Sequence, residues 1–514
     1  MAAAGIAVAA GALLPIAYLV VRASEAGVGG MVDIATSDRA IGLLVRSALL
    51  AVLVAATAAV VGVAFAWLTV RTDLPLRRAW TVVLALPLAI PSFIGGYSFV
   101  AALGPKGLVQ DWLAPLGVER LPPIYGLFGA WLVLSLFTYP YVFLTVRAAL
   151  RRLDPAMEEA SASLGRSRRR TFVEIVLPQL RPAITSGALL AALYALSDFG
   201  AVSLLRFDSF TRAIFLQYKA SFDRTPAAVL SLMLVVLTGV ILAAELRSRG
   251  RGAYHRAHGS AQRHAPTVRL GAWRWPLMGA CGLVAALGIG VPVGVTGYWL
   301  VRGISQGQEL GFTWEAARHS LEASSLGGLF ALIAAWPIAI LSARHRGAVA
   351  SGVEAGSWIG HALPGIVIAL SLVFFGARYA PGLYQTRTML VFAYVVLFLP
   401  VAVGALRSSL LQVSPSLEEA ARSLGSGRFE TWRRVVAPLV APGAAAGFAL
   451  VFLTAMKELP ATLLLAPTGY STLATEVWGS ASSVYFARAA VPALTLIVLA
   501  SIPLAILTIR ERHG

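Results

Sequence analysis

Few side chains in this sequence could do chemistry, and they fall into two groups. One is a pair of adjacent glutamates that occurs twice, Glu158–Glu159 and Glu418–Glu419, each inside a polar, charged island. The other lies within apolar runs: Asp198 in ALSDFGAVSLL, Lys457 and Glu458 in MKELPATLLL, and Tyr139 beside Pro140. Ionisable groups in such runs are costly and are functional candidates by default. Their carboxylates could contact a substrate directly, pair with Lys457, or cap a broken helix; for Tyr139 packing at a proline kink is the simpler role. The sequence contains no His/Cys set at metal-ligand spacing, no clustered nucleophile and base, and no Gly-x-x-x-x-Gly-Lys-Ser/Thr phosphate loop. We therefore expect no covalent chemistry, no metal site and no ATP hydrolysis in this chain.

The two islands are copies of one stretch. Shifted by 260 residues, Pro155, Glu158, Glu159, Ala160, Ser163, Leu164, Gly165 and Arg168 fall on Pro415, Glu418, Glu419, Ala420, Ser423, Leu424, Gly425 and Arg428. The match continues through Thr171/Thr431, Pro178/Pro438 and Gly187/Gly447. Asp154 or Ser414 supplies an N-cap, with proline at the first helical position, where its missing N–H costs nothing. The glutamates sit in or just after the first turn, where the helix dipole favours them. Gly165 and Gly425 then supply a left-handed stop. The spacing predicts helices over about 155–164 and 415–424, too short to span a bilayer, each followed by a second amphipathic segment ending at Pro178 or Pro438. A short rigid helix offered to a groove is a common recognition mode.

The elements that must carry these islands are read from composition. Of 514 residues 58% are apolar and 13% charged, and mean hydropathy is +0.76; soluble domains carry about a quarter charged residues. The apolar residues form twelve runs of roughly 20 residues, the length that crosses a hydrocarbon core as helix. They lie at about 4–22, 47–70, 80–103, 124–150, 183–205 and 226–246, then 276–301, 320–343, 356–376, 388–411, 443–466 and 489–509. An all-α polytopic membrane protein of about 12 transmembrane helices follows. The run Ile6–Val21 lacks a preceding basic residue and reads as a retained first helix rather than a signal peptide. Cys281 is the single cysteine, which excludes an intrachain disulfide.

Ser47–Arg71 also aligns with Ser320–Arg344, at an offset of 273, and Pro91 with Pro364. The first half thus carries 13 additional residues, in the loop around Gly104–Pro123. Two parallel six-span halves are expected, related by an axis along the membrane normal with a pathway on it. Residues 1–245 (core 47–245) form the first half and 276–514 (core 320–510) the second. Between them, 246–275 is a basic linker; His255, His258 and His264 within it read as linker rather than as metal ligands. The net charge of +18 would suggest nucleic acid in a soluble protein. Here it follows the positive-inside rule and anionic lipid headgroups, and no nucleic-acid partner is expected. Arg147–Arg181 holds eight arginines against four acids, and Arg407–Arg434 five against three. Those loops, the linker and both termini are placed in the cytoplasm.

The pattern Glu-Glu-Ala-x-x-x-Leu-Gly followed by a proline resembles the EAA loop of bacterial ABC importer permeases. The resemblance implies the type I importer fold, with two transmembrane permease domains fused in one chain. It implies that Glu158, Glu159, Ala160 and Gly165, and Glu418, Glu419, Ala420 and Gly425, belong to coupling helices seated in ATPase subunits. Two such helices imply two copies of a cytoplasmic ABC ATPase, which would bind the ATP and Mg. The strings SDFGAVSLLRFDSFTRAIFLQYKA and KELPATLLLAPTGYSTLATEVW further resemble fused permeases of ferric-iron importers, which work with an extracytoplasmic binding protein in the bacterial inner membrane. Fused permeases for thiamine or phosphonates share this layout. A proton-coupled secondary transporter is the rival class, but it would have no reason to repeat a docking helix.

Overall fold

The computed structural model describes residues 2–220, 223–250, 267–308, 310, 314–345 and 347–510. Among these the regular elements are helical, apart from an isolated β-bridge between Thr72 and Val268. The three linker histidines lie outside the described residues. The first half runs α1 (Ala2–Ser24), α2 (Asp38–Arg71), α3 (Ser92–Leu103), α4 (Leu127–Arg152), α5 (Ala156–Ser163), α6 (Arg168–Ser197), α7 (Gly200–Leu204), α8 (Phe210–Ala220) and α9 (Thr225–Gly250). The second runs α10 (Gly271–Ser305), α11 (Trp314–Arg344), α12 (Ala348–Ala362), α13 (Gly365–Tyr379), α14 (Arg387–Gln412) and α15 (Pro415–Ser423). It closes with α16 (Phe429–Met456), α17 (Pro460–Leu465), α18 (Leu473–Ser482) and α19 (Phe486–Arg510). From α2 and α11 onward the halves answer each other, with α12 in the place of the segment Arg77–Ala89.

Nine of the described helices are long and apolar enough to cross a membrane, or ten if the pair Arg77–Ala89 and Ser92–Leu116 is one span bent by 93°. Gly365–Tyr379 and Phe486–Ser501 are shorter apolar helices. The expected runs 80–103 and 356–376 are therefore not straight helices. Each breaks at its aligned proline, Pro91 or Pro364, which takes an extended ψ of 137° or 142°. A proline can begin a helix but denies the preceding turn its N–H. The run 183–205 is also displaced: α6 begins at Arg168 and stops at Ser197, and α16 likewise ends at Met456.

The amphipathic segment after each island does not end at Pro178 or Pro438. It forms the start of α6 or α16 and runs on through a π-helical turn, Phe172–Val176 or Trp432–Val436, into the apolar part of that helix. The wider turn leaves each proline near the start of a new helical register, where no N–H is demanded of it. The segment that follows each island is thus continuous with a span.

Packing divides the chain into two compact units, one of residues 38–212 and 236–298, the other of 1–37, 213–235 and 299–514. These differ from the contiguous halves 1–245 and 276–514, because α1 packs on α11, α12 and α13, while most of α10 belongs with the first repeated core. In the first unit α2, α4 and α6 form the bundle. Backbones approach closely there because side chains are absent: a Cβ on Gly62 would lie 2.7 Å from Val142 Cβ, and one on Gly187 2.7 Å from Val142 Cα. Small residues serve helix association in lipid in this way. The second unit builds the same bundle from α11, α14 and α16, around Ala331, Ala335, Ile338, Val403 and Leu406.

Candidate functional site

Each island folds as a short capped helix. Asp154 Oδ1 accepts the Ala156 N–H at 3.0 Å, and Ser414 Oγ accepts that of Ser416 at 3.3 Å. Gly165 and Gly425 take φ of +74° and +88°, and the next N–H, of Arg166 or Ser426, returns to the carbonyl of Ser161 or Ala421. This is the glycine-stopped helix end that the sequence predicts.

The paired glutamates divide their labour. Glu158 and Glu418 turn toward the protein. Arg71 Nη2 meets Glu158 Oε1 at 2.8 Å, and Arg344 Nη2 meets Glu418 Oε1 at 2.6 Å. Arg71 and Arg344 are the last residues of α2 and α11 and coincide in the repeat, so each island is tied to the end of a long span. Arg344 Nη1 also donates to Val413 O at 3.1 Å. Glu159, Glu419, Ala160 and Ala420 face solvent, beside exposed Met157 and Leu164 in the first island and Leu417, Leu424 and Phe429 in the second. These exposed apolar side chains give each island an outward apolar face. The anchoring arginines were visible as aligned residues; their function as partners was not, since it depends on a fold that joins positions 87 residues apart.

At the far end of the same bundles, Asp198 and Glu458 lie where α6 and α16 stop. Asp198 accepts the N–H groups of Ala201 and Val202 and the hydroxyl of Ser92, and is buried. Glu458 accepts the Ala461 N–H at 3.0 Å. Both acids therefore cap the short helix after a break, α7 or α17. Lys457 is half-buried at the C-cap position just past the end of α16. Tyr139 stands apart from the acids: its hydroxyl donates to Leu84 O at 2.7 Å and its ring packs edge-on to Phe65, a packing role.

This fold, with membrane-length helices in two repeated bundles and a capped polar helix on each, defines a multi-pass membrane permease. The comparison with known families agrees. Residues 58–245 and 329–513 each match the family of binding-protein-dependent transport system inner membrane components, and the chain belongs to that family. It is a permease of an ABC importer in the inner membrane, not an enzyme; ATP hydrolysis resides in a separate subunit. Among its relatives, the Fe(3+)-transport system permease protein FbpB 2 of Haemophilus influenzae is 36% identical over 96% of this chain and 95% of that one. The ferric transport system permease protein FbpB of Actinobacillus pleuropneumoniae is 26% identical over 79% of this chain and 62% of its own. The sulfate transport system permease protein CysT of Escherichia coli is 28% identical over 37% of this chain and 68% of its own.

Proposed function

We propose that this chain carries ferric iron across the inner membrane, driven by two ATPase subunits that each seat one island, α5 or α15, as a coupling helix. The carrying observation is the repeated Arg–Glu tie between each island and the end of a long span. A helix fastened to a span can pass a push into the membrane, whereas one lying loose in the headgroups cannot. The ATPases bind ATP and Mg and draw the two islands together. A loaded binding protein docks outside, the pathway opens outward, and hydrolysis resets it. Both termini, the linker and both islands face the cytoplasm in this scheme. Ferric iron as cargo is supported by the likeness to the ferric permeases, which extends over nearly the whole chain in one case.

The test is reconstitution in liposomes with the co-purified ATPase and the cognate binding protein. Uptake of ferric iron that requires ATP, with two ATPase copies per chain, is expected. Uptake driven by a proton gradient without ATP would overturn the coupling scheme. A binding protein that holds thiamine, a phosphonate or sulfate but not ferric iron would overturn the cargo alone.

A further inference from the structure

Each half places an acid at the break after its fifth span, and the residue facing that acid differs between halves in a compensating way. In the first half Asp198 Oδ1 accepts the N–H of Ala201 at 3.0 Å and of Val202 at 3.2 Å, while its Oδ2 accepts the Ser92 hydroxyl. In the second, Glu458 Oε1 accepts the N–H of Ala461 at 3.0 Å. A Cβ built on Gly365 would stand 2.5 Å from that same oxygen. Ser92 and Gly365 are one position of the repeat, each immediately after the proline that opens α3 or α13. A short acid meets a side chain; an acid one methylene longer meets none. The volume that Gly365 gives up is the volume that Glu458 gains.

The carbonyls of both acids are held as well. Thr211 Oγ1 donates to Asp198 O at 2.6 Å, and Thr462 Oγ1 to Glu458 O at 2.9 Å, with Tyr394 Oη 2.6 Å from that threonine hydroxyl. In the first half, backbone and serine donors occupy both carboxylate oxygens, which leaves Asp198 poorly placed to strip water from a passing ion.

We propose that Ser92–Asp198 and Gly365–Glu458 are matched positioning pairs, each latching the bend that opens α3 or α13 to the break after α6 or α16. The latch makes the far end of an island-bearing span and the neighbouring bend move as one body. The acids then serve transport by holding geometry, not as ligands of the cargo. The transport side of this inference rests on the permease reading above; the pairing does not.

The test exchanges the pairs between halves. Asp198→Glu alone drives the longer acid into Ser92 and should lower the maximal uptake rate about tenfold, a typical size for disrupting two touching residues. The half-saturating concentration of loaded binding protein should stay within about twofold, since a rigid-body defect slows the cycle without touching cargo delivery. Adding Ser92→Gly should restore most of the rate. Gly365→Ser should be as damaging, and Glu458→Asp should rescue it. Should Asp198→Glu fail to insert, recovery of insertion by Ser92→Gly reads the same way. Double variants no better than the worse single, or a half-saturation shifted with the maximal rate kept, overturn the proposal. The same chains melted in detergent without partners must show the same rescue, and its absence there also overturns the pairing. Rescue in the melt with no ferric uptake by the parent supports the pairs and sinks the cargo assignment alone.

Discussion

The two islands share a plan and differ in how they are held. Both have a capped start, a glycine stop and an inward glutamate on a span-ending arginine. In the first, side chains add to the hold: Ser161 Oγ lies 2.8 Å from Thr171 Oγ1, and Arg166 and Arg170 both engage Glu174. In the second, Ala421 stands where Ser161 does, and Arg344 instead reaches the backbone at Val413. The outer apolar residues also differ: Leu417, Leu424 and Phe429 are exposed in the second, Met157, Leu164 and Val173 in the first, which puts Arg169 in the place of Phe429. What is kept in both copies is the tie to the span; what varies is the fastening and the outer face. Under the proposed coupling role, that division separates transmission from docking and says which substitutions should hit which.

The strongest challenge to the shared part is the double variant Gly165→Val, Gly425→Val. A built Cβ meets nothing within 4 Å at either glycine, so the penalty is purely conformational. Holding a β-branched residue at positive φ costs roughly 1–2 kcal/mol per site or more, enough to fray the last turn of a helix this short. We expect normal insertion, continued ATP hydrolysis by the captured ATPases, and uptake lowered by at least about tenfold. Parental uptake in this variant would mean that the islands do not transmit force.

Next, the two members of one glutamate pair should separate. Glu158→Ala leaves the Arg71 guanidinium, whose side chain is only 4% exposed, without its carboxylate. Losing a charge-assisted bond in such a setting costs about 1–3 kcal/mol, so the detergent melt should fall. Glu159→Ala should leave the melt unchanged, surface changes being within about 0.5 kcal/mol, and weaken ATPase capture instead. Equal effects of the two variants on both readouts would dissolve the distinction between anchor and outer face.

How much of this was legible beforehand follows the range of the interactions. The islands were readable almost to the residue, because an N-cap, a first-turn acid and a stop glycine act over one or two turns. The bends at Pro91 and Pro364 were not, since hydropathy sums composition over a window and is indifferent to a change of direction inside it. In the run from Arg168 onward Pro178 reads as a helix end, because nothing in the sequence marks the π turn that precedes it. Asp198 and Glu458 were found by their cost in an apolar run, yet their partners Ser92 and Gly365 were invisible. A serine and a glycine at aligned positions look like drift until the acids are seen to differ by one methylene in the opposite sense. The exchange of α1 and α10 between packing units has no local signal.

The outer faces themselves should be unequal. Leu424→Ala with Phe429→Ala removes two side chains that are 87% and 72% exposed, so the free chain should melt as the parent does. In the assembly, if these are seated in the ATPase, each truncation costs about 1 kcal/mol or more and capture should weaken by roughly tenfold or more in total. Leu164→Ala, a single truncation on the first island, should weaken capture less. Titrating the ATPase against each variant in detergent measures both, and the reverse order would show that apolar exposure is a poor guide to which island bears the load.

The smallest effect sharpens the comparison most, because nature has already made half of it. Ser161→Ala turns the first island's fastening residue into the one that the second island carries as Ala421. It leaves the Thr171 hydroxyl, in a buried residue, short of one partner, which should lower stability by about 1 kcal/mol. The reciprocal Ala421→Ser brings a hydroxyl toward Thr431, whose own Oγ1 now reaches only Ser426 O at 3.5 Å, and should return part of that amount. Neither change touches the Arg–Glu tie or the outward face, so uptake should stay within about twofold of the parent in both, as for other changes of about 1 kcal/mol or less. A large uptake loss from Ser161→Ala would place the hydroxyl bond, rather than the arginine, on the route by which the first island drives its span.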